Sequence, residues 1–299
     1  MKYLIFGHGR NGTLIKSYIE KFCEGDSVVG FVDNSVTEVK DGVFPPDMIL
    51  SLEFDKVIIS NAKRSQVEDI QRQLASLGVP SDKQVVFIDD PNLLYEVYKD
   101  VSAYDEWTDI RVGWLRAFAG YAQDEGMCGS VAECGVNRGD FAHYINKYFP
   151  RRRLWLFDTF NGFNEADLDE ERKLGDRAFT EGKFNSRDCF RCTSEQIVMH
   201  KMVSPDMCVI RKGFFPDTAA DLDREFAFVN LDMDLYVPTK AGLEIFYPRM
   251  VRGGVILIHD YYRPDLPGIK ASVHDYEAVA GHLLKFPIGD GCSIAIIKE

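Results

Sequence analysis

The sequence predicts an α/β protein made of two doubly wound parallel sheets, and three observations carry that reading. Short apolar runs alternate with amphipathic stretches of helical spacing along the chain, the pattern of βαβ units and not of hairpins. Two glycine turns, Gly7-His-Gly9-Arg-Asn-Gly12 and Gly135-Val-Asn-Arg-Gly139, each follow a strand-like run and open a helix-like one. Two acidic clusters, Asp232-Met-Asp234 and His259-Asp260, each close an apolar run, and ligands of such sheets sit beyond the carboxyl ends of the strands. With 299 residues, 45% apolar and 27% charged, the chain has core material for both sheets.

In the first domain, residues 1–90, Tyr3 to Phe6 reads as a buried strand, an amphipathic helix runs to about Phe22, and Ser27 to Val32 is a second strand ending at Asp33. Glycines for a tight turn, followed 21 residues after Gly12 by an acid, form the dinucleotide fingerprint in its Rossmann-like context. Gly7, Gly9, Gly12 and Asp33 are therefore a candidate nucleotide site, although the same residues equally serve as turn glycines and a loop acid. Strands at Lys56 to Ser60 and Gln84 to Ile88, with a helix from Arg64 to about Leu77, complete a domain that is small for a full dinucleotide fold. Through KYLIFGHGRNG and VVGFVDN it resembles the small Rossmann-like domains at the front of sugar acyltransferases. That resemblance implies a nucleotide or nucleotide-sugar ligand, or a packing role.

Residues 91–125 carry apolar side chains at helical spacing, Leu93, Leu94, Val97 and Tyr98, then Ile110, Val112, Trp114, Leu115 and Phe118. They read as two helices forming a linker and lid.

The second domain, 126–299, opens with the strand Ser130 to Cys134, which carries Glu133 near its end, and the turn from Gly135 to Gly139. Nineteen residues later the strand Leu154 to Phe157 ends in Asp158 and Thr159, with Asp158 placed to accept hydrogen bonds from both ribose hydroxyls of an adenosine. An acid in the first strand and another ending the second are the pattern of class I S-adenosyl-L-methionine (SAM) methyltransferases, whose cationic cofactor suits an acidic cleft, and Glu133, Gly135, Gly139, Asp158, Thr159 and Gly213 are the expected cofactor residues. Lys212-Gly213-Phe214-Phe215 follows a strand from Met207 to Ile210, where a phenylalanine would either stack on a base or pack in the core. Asn161 to Thr193 is polar and without a clear period, and Phe163 to Cys192 is where acceptor specificity would reside.

RVGWLRAFAGYAQDEGMCGSVAECGVNRGDF, LWLFDTFNGF, IRKGFFPDT, FVNLDMDLYVPTKAGLEIFYPRMVRGGVILIHDYY and GIKASVHDYEA occur in that order. From about residue 105 to the C-terminus they resemble the macrocin O-methyltransferase (TylF) family of sugar O-methyltransferases. The resemblance implies SAM as methyl donor and a divalent metal, usually magnesium, held at the positions of Asp232, His259 and Asp260. His259 departs from the pattern, which has an aspartate there, and an imidazole should weaken a magnesium site or turn it toward a transition metal. A sugar hydroxyl needs a base or a metal before it attacks, so Asp232, His259 and Asp260 are also the catalytic candidates, with Asp232 or His259 taking the proton. Asp234 is expected in the loop beyond the strand, and Tyr261 and Tyr262 either line a sugar pocket or pack.

A formal charge of −12 argues against nucleic acid, which needs clustered cations. The run Arg151 to Arg153 is a solvated strand entry. No signal peptide or membrane span is expected. Seven cysteines without a framework spacing suggest reduced thiols in the cytoplasm, and Cys189 and Cys192 alone cannot complete a zinc shell. The expected partner is a small sugar-containing acceptor, and the chain is compatible with a homo-oligomer. The competing reading, an NAD or nucleotide-sugar binding oxidoreductase on a non-catalytic methyltransferase-like scaffold, lacks a Tyr and Lys relay after Asp33.

Overall fold

The computed structural model describes residues 1–175 and 190–299, and the chain divides into two compact units, Met1–Asp100 and Val101–Glu299. The first unit runs β1 (Lys2–Phe6), α1 (Arg10–Phe22), β2 (Ser27–Val32), β3 (Val43–Phe44), β4 (Lys56–Ile59), α2 (Arg64–Ser76), β5 (Gln84–Val86) and α3 (Pro91–Tyr98). Its strands pair in parallel in the order β3-β2-β1-β4-β5. The two-residue β3 is too short to show a period, and the run expected to reach Ile88 leaves the sheet at Val86 because Phe87–Asp89 turns into a 3-10 helix. A β-carbon on Gly12 would come 2.2 Å from the Gly7 carbonyl oxygen. Glycine there lets α1 close against the turn that feeds it.

The second unit begins with α4 (Ile110–Asp124), started by the Asp109 carboxylate accepting from the Val112 N–H at 3.0 Å. It continues through β6 (Ser130–Cys134), α5 (Asp140–Tyr148), β7 (Leu154–Asp158), α6 (Glu165–Lys173), α7 (Glu195–Lys201) and β8 (Cys208–Lys212). It then completes the sheet with β9 (Phe226–Leu231), α8 (Tyr236–Phe246), β10 (Met250–Ile258), α9 (Pro267–Ala280), β11 (Leu284–Pro287) and β12 (Ile294–Ile297). Seven strands lie in the order β11-β12-β10-β9-β6-β7-β8, and β12 alone runs opposite to the other six. From β6 the chain winds outward through β7 and β8, then returns to add β9 and β10 on the other side. The crevice therefore opens at the carboxyl ends beside β6, the switch point of a doubly wound sheet.

Every residue of β9 is buried, as a parallel strand covered on both faces requires. Alternate side chains feed two cores. Ala132, Cys134, Val229 and Leu231 join one; Val131 and Phe228 join the other, under α4 and α5 with Leu115 and Phe141. Asn230 and Glu133 have the parity of the second group, so two polar side chains are forced beneath α4. Among the described residues no helix is long and apolar enough to cross a membrane.

Candidate active site

Strand register builds the site. Cys134 is paired with Phe157 on one side and with Leu231 on the other, and Leu231 is paired with Ile258. One residue further along each strand, Asp158, Gly135, Asp232 and His259 stand side by side across the sheet. Backbone hydrogen bonds tie the row: Gly135 N–H to Phe157 O (2.9 Å), Asp232 N–H to Cys134 O (2.9 Å) and His259 N–H to Leu231 O (3.0 Å). These residues line a cleft of about 570 Å³ together with Gly213 and Asp260.

On one side of the row the Asp158 carboxylate accepts from the backbone N–H of Asn137 (2.8 Å) and of Phe160 (2.7 Å). Burial pushes its carboxyl upward against those bonds. Thr159 also lines the cleft and donates its hydroxyl to Gly162 O at 2.7 Å. Of the six expected cofactor residues, Gly135, Asp158, Thr159 and Gly213 line the cleft, whereas Glu133 and Gly139 are not among the lining residues. Glu133 is 1% exposed and its Oε1 accepts from Asn230 Nδ2 at 2.8 Å; burial pushes its carboxyl well above the usual range. Gly139, at φ +75°, packs toward Val198 of α7. Phe214 lines the cleft, and Phe215 stacks in the core against Phe246.

On the other side Asp232 is held between two cations. Its Oδ2 accepts from Arg111 Nη2 at 2.9 Å, and its Oδ1 lies 3.1 Å from His259 Nδ1. The same Nδ1 is 3.2 Å from Asp260 Oδ1. Neither oxygen lies along a hydrogen-bond direction, so Nδ1 makes ion-pair contacts and is otherwise unpartnered. Burial alone would raise Asp232, but His259 and Arg111 outweigh it and hold the carboxyl well below the usual range. Burial likewise opposes the charge on His259, and Asp232 reverses that effect, raising the imidazole. Asp234 is pushed well above the carboxylate range by burial and by Asp232 and Asp260. Asp232, Asp234 and Asp260 offer oxygens all within 4.8 Å of one another, and His259, Asp260 and Cys292 offer a second such group.

The backbone is bent hard around this rim. Asn137, Phe160, Asp234 and Asp260 all have φ between 50° and 60°, a region costly for a phenylalanine and mild for Asn or Asp. Such conformations persist where surrounding contacts over-determine them.

Arg111 was not singled out from the sequence. It is 3% exposed, donates to Asn230 Oδ1 (2.8 Å) and to the Tyr104 hydroxyl (3.2 Å), and stacks 4.0 Å over the Phe141 ring. The signal was present: Arg111, Leu115, Phe118 and Ala122 share a helical stripe whose other members are buried. Asp234 and Tyr104 also line the cleft. Tyr261 is buried in the core and Tyr262 is exposed against its edge; neither is among the lining residues.

In the first unit, Asp33 accepts from the N–H of His8 (2.8 Å) and of Ser35 (2.9 Å), which fixes its carboxylate to the turn. Gly7 has φ +104° and its β-carbon would meet Ser60 Oγ at 2.5 Å, while Gly9 faces open space. Residues 176–189 of the segment Phe163 to Cys192, Cys189 among them, lie outside the described residues. Phe163 and Phe190, at its two ends, both line the cleft.

Residues 101–289 match the model of the macrocin-O-methyltransferase (TylF) family, and residues 1–85 match that of the C2185-like N-terminal domain. Among curated proteins the chain is 27% identical over 164 residues to the 8-demethyl-8-(2,3-dimethoxy-alpha-L-rhamnosyl)-tetracenomycin-C 4'-O-methyltransferase of Streptomyces olivaceus, covering 52% of this chain and 61% of that one. It is 29% identical over 162 residues to the mycinamicin III 3''-O-methyltransferase of Micromonospora griseorubida, covering 51% and 61%. The chain thus spans 61% of the length of these relatives. Among solved structures, that of the O-methyltransferase NovP superposes with a TM-score of 0.53 at 24% identity, covering 63% of this chain and 79% of that one. That likeness is one of fold.

Proposed function

The chain belongs to the macrocin O-methyltransferase (TylF) family, and from that premise we propose that it moves a methyl group from SAM to a hydroxyl of a small sugar-containing acceptor. The observation that carries the reading is the row at the strand ends, which puts a ribose-type acid, Asp158, and an acid-imidazole pair, Asp232 and His259, in one cleft. Asp158, Asp167, Asp232, Asp234 and Asp260 line that cleft against His259 and Arg263, an excess of acid that suits a sulfonium cation.

In this reading Asp158 binds the ribose hydroxyls, and the turn at Gly135 and the Gly213–Phe214 segment flank the adenosine. Asp232 and Asp260 orient the acceptor hydroxyl, and Asp232, or His259 when its imidazole is neutral, takes its proton as the methyl carbon is attacked in line. The oxygen donors Asp232, Asp234 and Asp260 suit a hard divalent cation such as magnesium, with His259 at their margin. When bound, such an ion would lower the pKa of the hydroxyl and supply the positive charge that the imidazole otherwise carries. Arg111 holds Asp232 in place from behind. Free thiols at Cys23, Cys128 and Cys208 fit a cytoplasmic setting.

Calorimetric titration with S-adenosylhomocysteine, beside NAD and an Asp158→Ala variant, tests the reading, followed by SAM turnover with glycoside and nucleotide-sugar acceptors. Binding of adenosylhomocysteine that the variant loses supports it. Binding of NAD alone would overturn it in favour of an oxidoreductase governed by the first unit.

A further inference from the structure

Beside the all-oxygen donor set stands a second one of different chemistry. His259, Asp260 and Cys292 each offer a ligand atom, a ring nitrogen, a carboxylate oxygen and a thiol sulfur, all within 4.8 Å of one another, and Asp260 Oδ1 lies 3.2 Å from His259 Nδ1 and 3.0 Å from Cys292 Sγ. A tetrahedral ion with metal–nitrogen and metal–oxygen bonds of about 2.0 Å and a metal–sulfur bond of about 2.3 Å has ligand–ligand edges of about 3.3 to 3.5 Å. The two edges that meet at Asp260 Oδ1 are already near that spacing, and the nitrogen and sulfur must close to it from within 4.8 Å.

Cys292 and Asp260 are held by their surroundings, and the His259 nitrogen beside them is unpartnered. Asp290 accepts from the N–H of Cys292 (2.9 Å) and of Ser293 (2.7 Å) and from the Ser293 hydroxyl (2.6 Å). The Cys292 carbonyl accepts from Tyr262 N–H at 3.0 Å. Asp260 is 3% exposed at a φ of 60°, and His259 Nδ1 is a buried nitrogen with no hydrogen-bond partner.

We infer that His259, Asp260 and Cys292 form a site for a thiophilic divalent metal of the zinc class, separate in chemistry from the oxygen set with which it shares Asp260. Nitrogen and sulfur donors select zinc or cobalt over magnesium. The fourth position is left to solvent or to a ligand in the cleft. On binding, the thiol proton now donated to Asp260 and the Nδ1 proton of the charged imidazole both leave to solvent as the metal–sulfur and metal–nitrogen bonds form. Resting on the proposed methyl transfer, the consequence is inhibition, because the ion takes the imidazole and the Asp260 carboxylate that the acceptor hydroxyl needs.

Cobalt(II) titration of the full chain, with the thiols reduced by a non-chelating phosphine, reads the site without reference to activity. A thiolate-to-cobalt charge-transfer band should appear, bleach on addition of zinc, vanish in Cys292→Ser and weaken at least tenfold in affinity in His259→Ala, while Cys192→Ser leaves it unchanged. X-ray absorption of the zinc-loaded native chain should show one sulfur among lighter ligands, which holds the test even where a variant misfolds. A shell of nitrogen and oxygen alone, no band, or a band that persists in Cys292→Ser overturns the site. Adenosylhomocysteine titration of the same sample shows separately whether the methyltransferase reading stands.

Discussion

A β-carbon placed on Gly135 would come 2.0 Å from the carbonyl oxygen of Asp232. The turn after β6 and the end of β9 are packed so closely that their backbones touch, and Gly135 also has φ +84°. Both the missing side chain and the positive φ are needed at this one residue. Gly135→Ala should therefore fail to fold or lose at least about 3 kcal/mol, since backbone and not a flexible side chain must give way. Urea unfolding followed by tryptophan fluorescence checks this, and a loss under 1 kcal/mol would show that the turn can relax.

Arg111→Met should destabilise the protein by about 3 to 5 kcal/mol, because it strips the buried Asp232 and Asn230 of a charged partner. In a unit of this size that corresponds to a fall of roughly 10 °C in the thermal midpoint. Adding Asp232→Asn to Arg111→Met should recover part of the loss, because the carboxylate that lost one of its two cations is gone. A double-mutant cycle with no coupling between the two positions would contradict the ion pair.

Asp158 and Asp232 should separate binding from turnover. Asp158→Ala removes the acceptor of two ribose hydroxyls and should weaken adenosylhomocysteine binding by about a hundredfold, two charge-assisted hydrogen bonds at 1.5 kcal/mol or more each. Asp232→Asn should leave that affinity within a few fold while lowering turnover by at least about a hundredfold. Equal losses of affinity in both variants would place Asp232 on the cofactor side.

Asp167, 6% exposed on α6, has its carboxyl pushed up to about 6 by burial from an ordinary value of 3.8. A group that holds its proton more tightly when folded favours folding at low pH, and the advantage is lost as pH rises from about 4 through about 6. At pH 7 the charged carboxylate is the buried species, and Asp167→Asn should raise stability by at most about 3 kcal/mol. The gain should shrink toward zero near pH 4. Equal urea midpoints for the two proteins at pH 7 would count against the buried carboxylate.

Strand ends and helix starts were legible because they depend on local periodicity. Ser27–Val32 and α1 fall where alternation and amphipathic spacing put them. Asp158 was legible as well, since one glycine turn and one strand length suffice to locate it. Glu133 was read as a cofactor residue near the strand end, and it is not among the residues that line the cleft. Its parity places it beneath α4 with Asn230, behind the cleft, because the face a strand residue occupies depends on which side of the sheet the helices cover.

The sequence by itself determined two doubly wound sheets, the glycine turns and the family of the second unit, all written within windows of a few to some thirty residues. Only the tertiary structure decided that Asp158, Gly135, Asp232 and His259 form one row, because register is set by hydrogen bonds between strands far apart in sequence. It alone decided that Arg111 reaches Asp232 across 121 positions, and that Cys292 stands beside Asp260 across 32. A buried charge has no local signature; its partner is whatever the fold carries to it, and desolvation makes that partner obligatory.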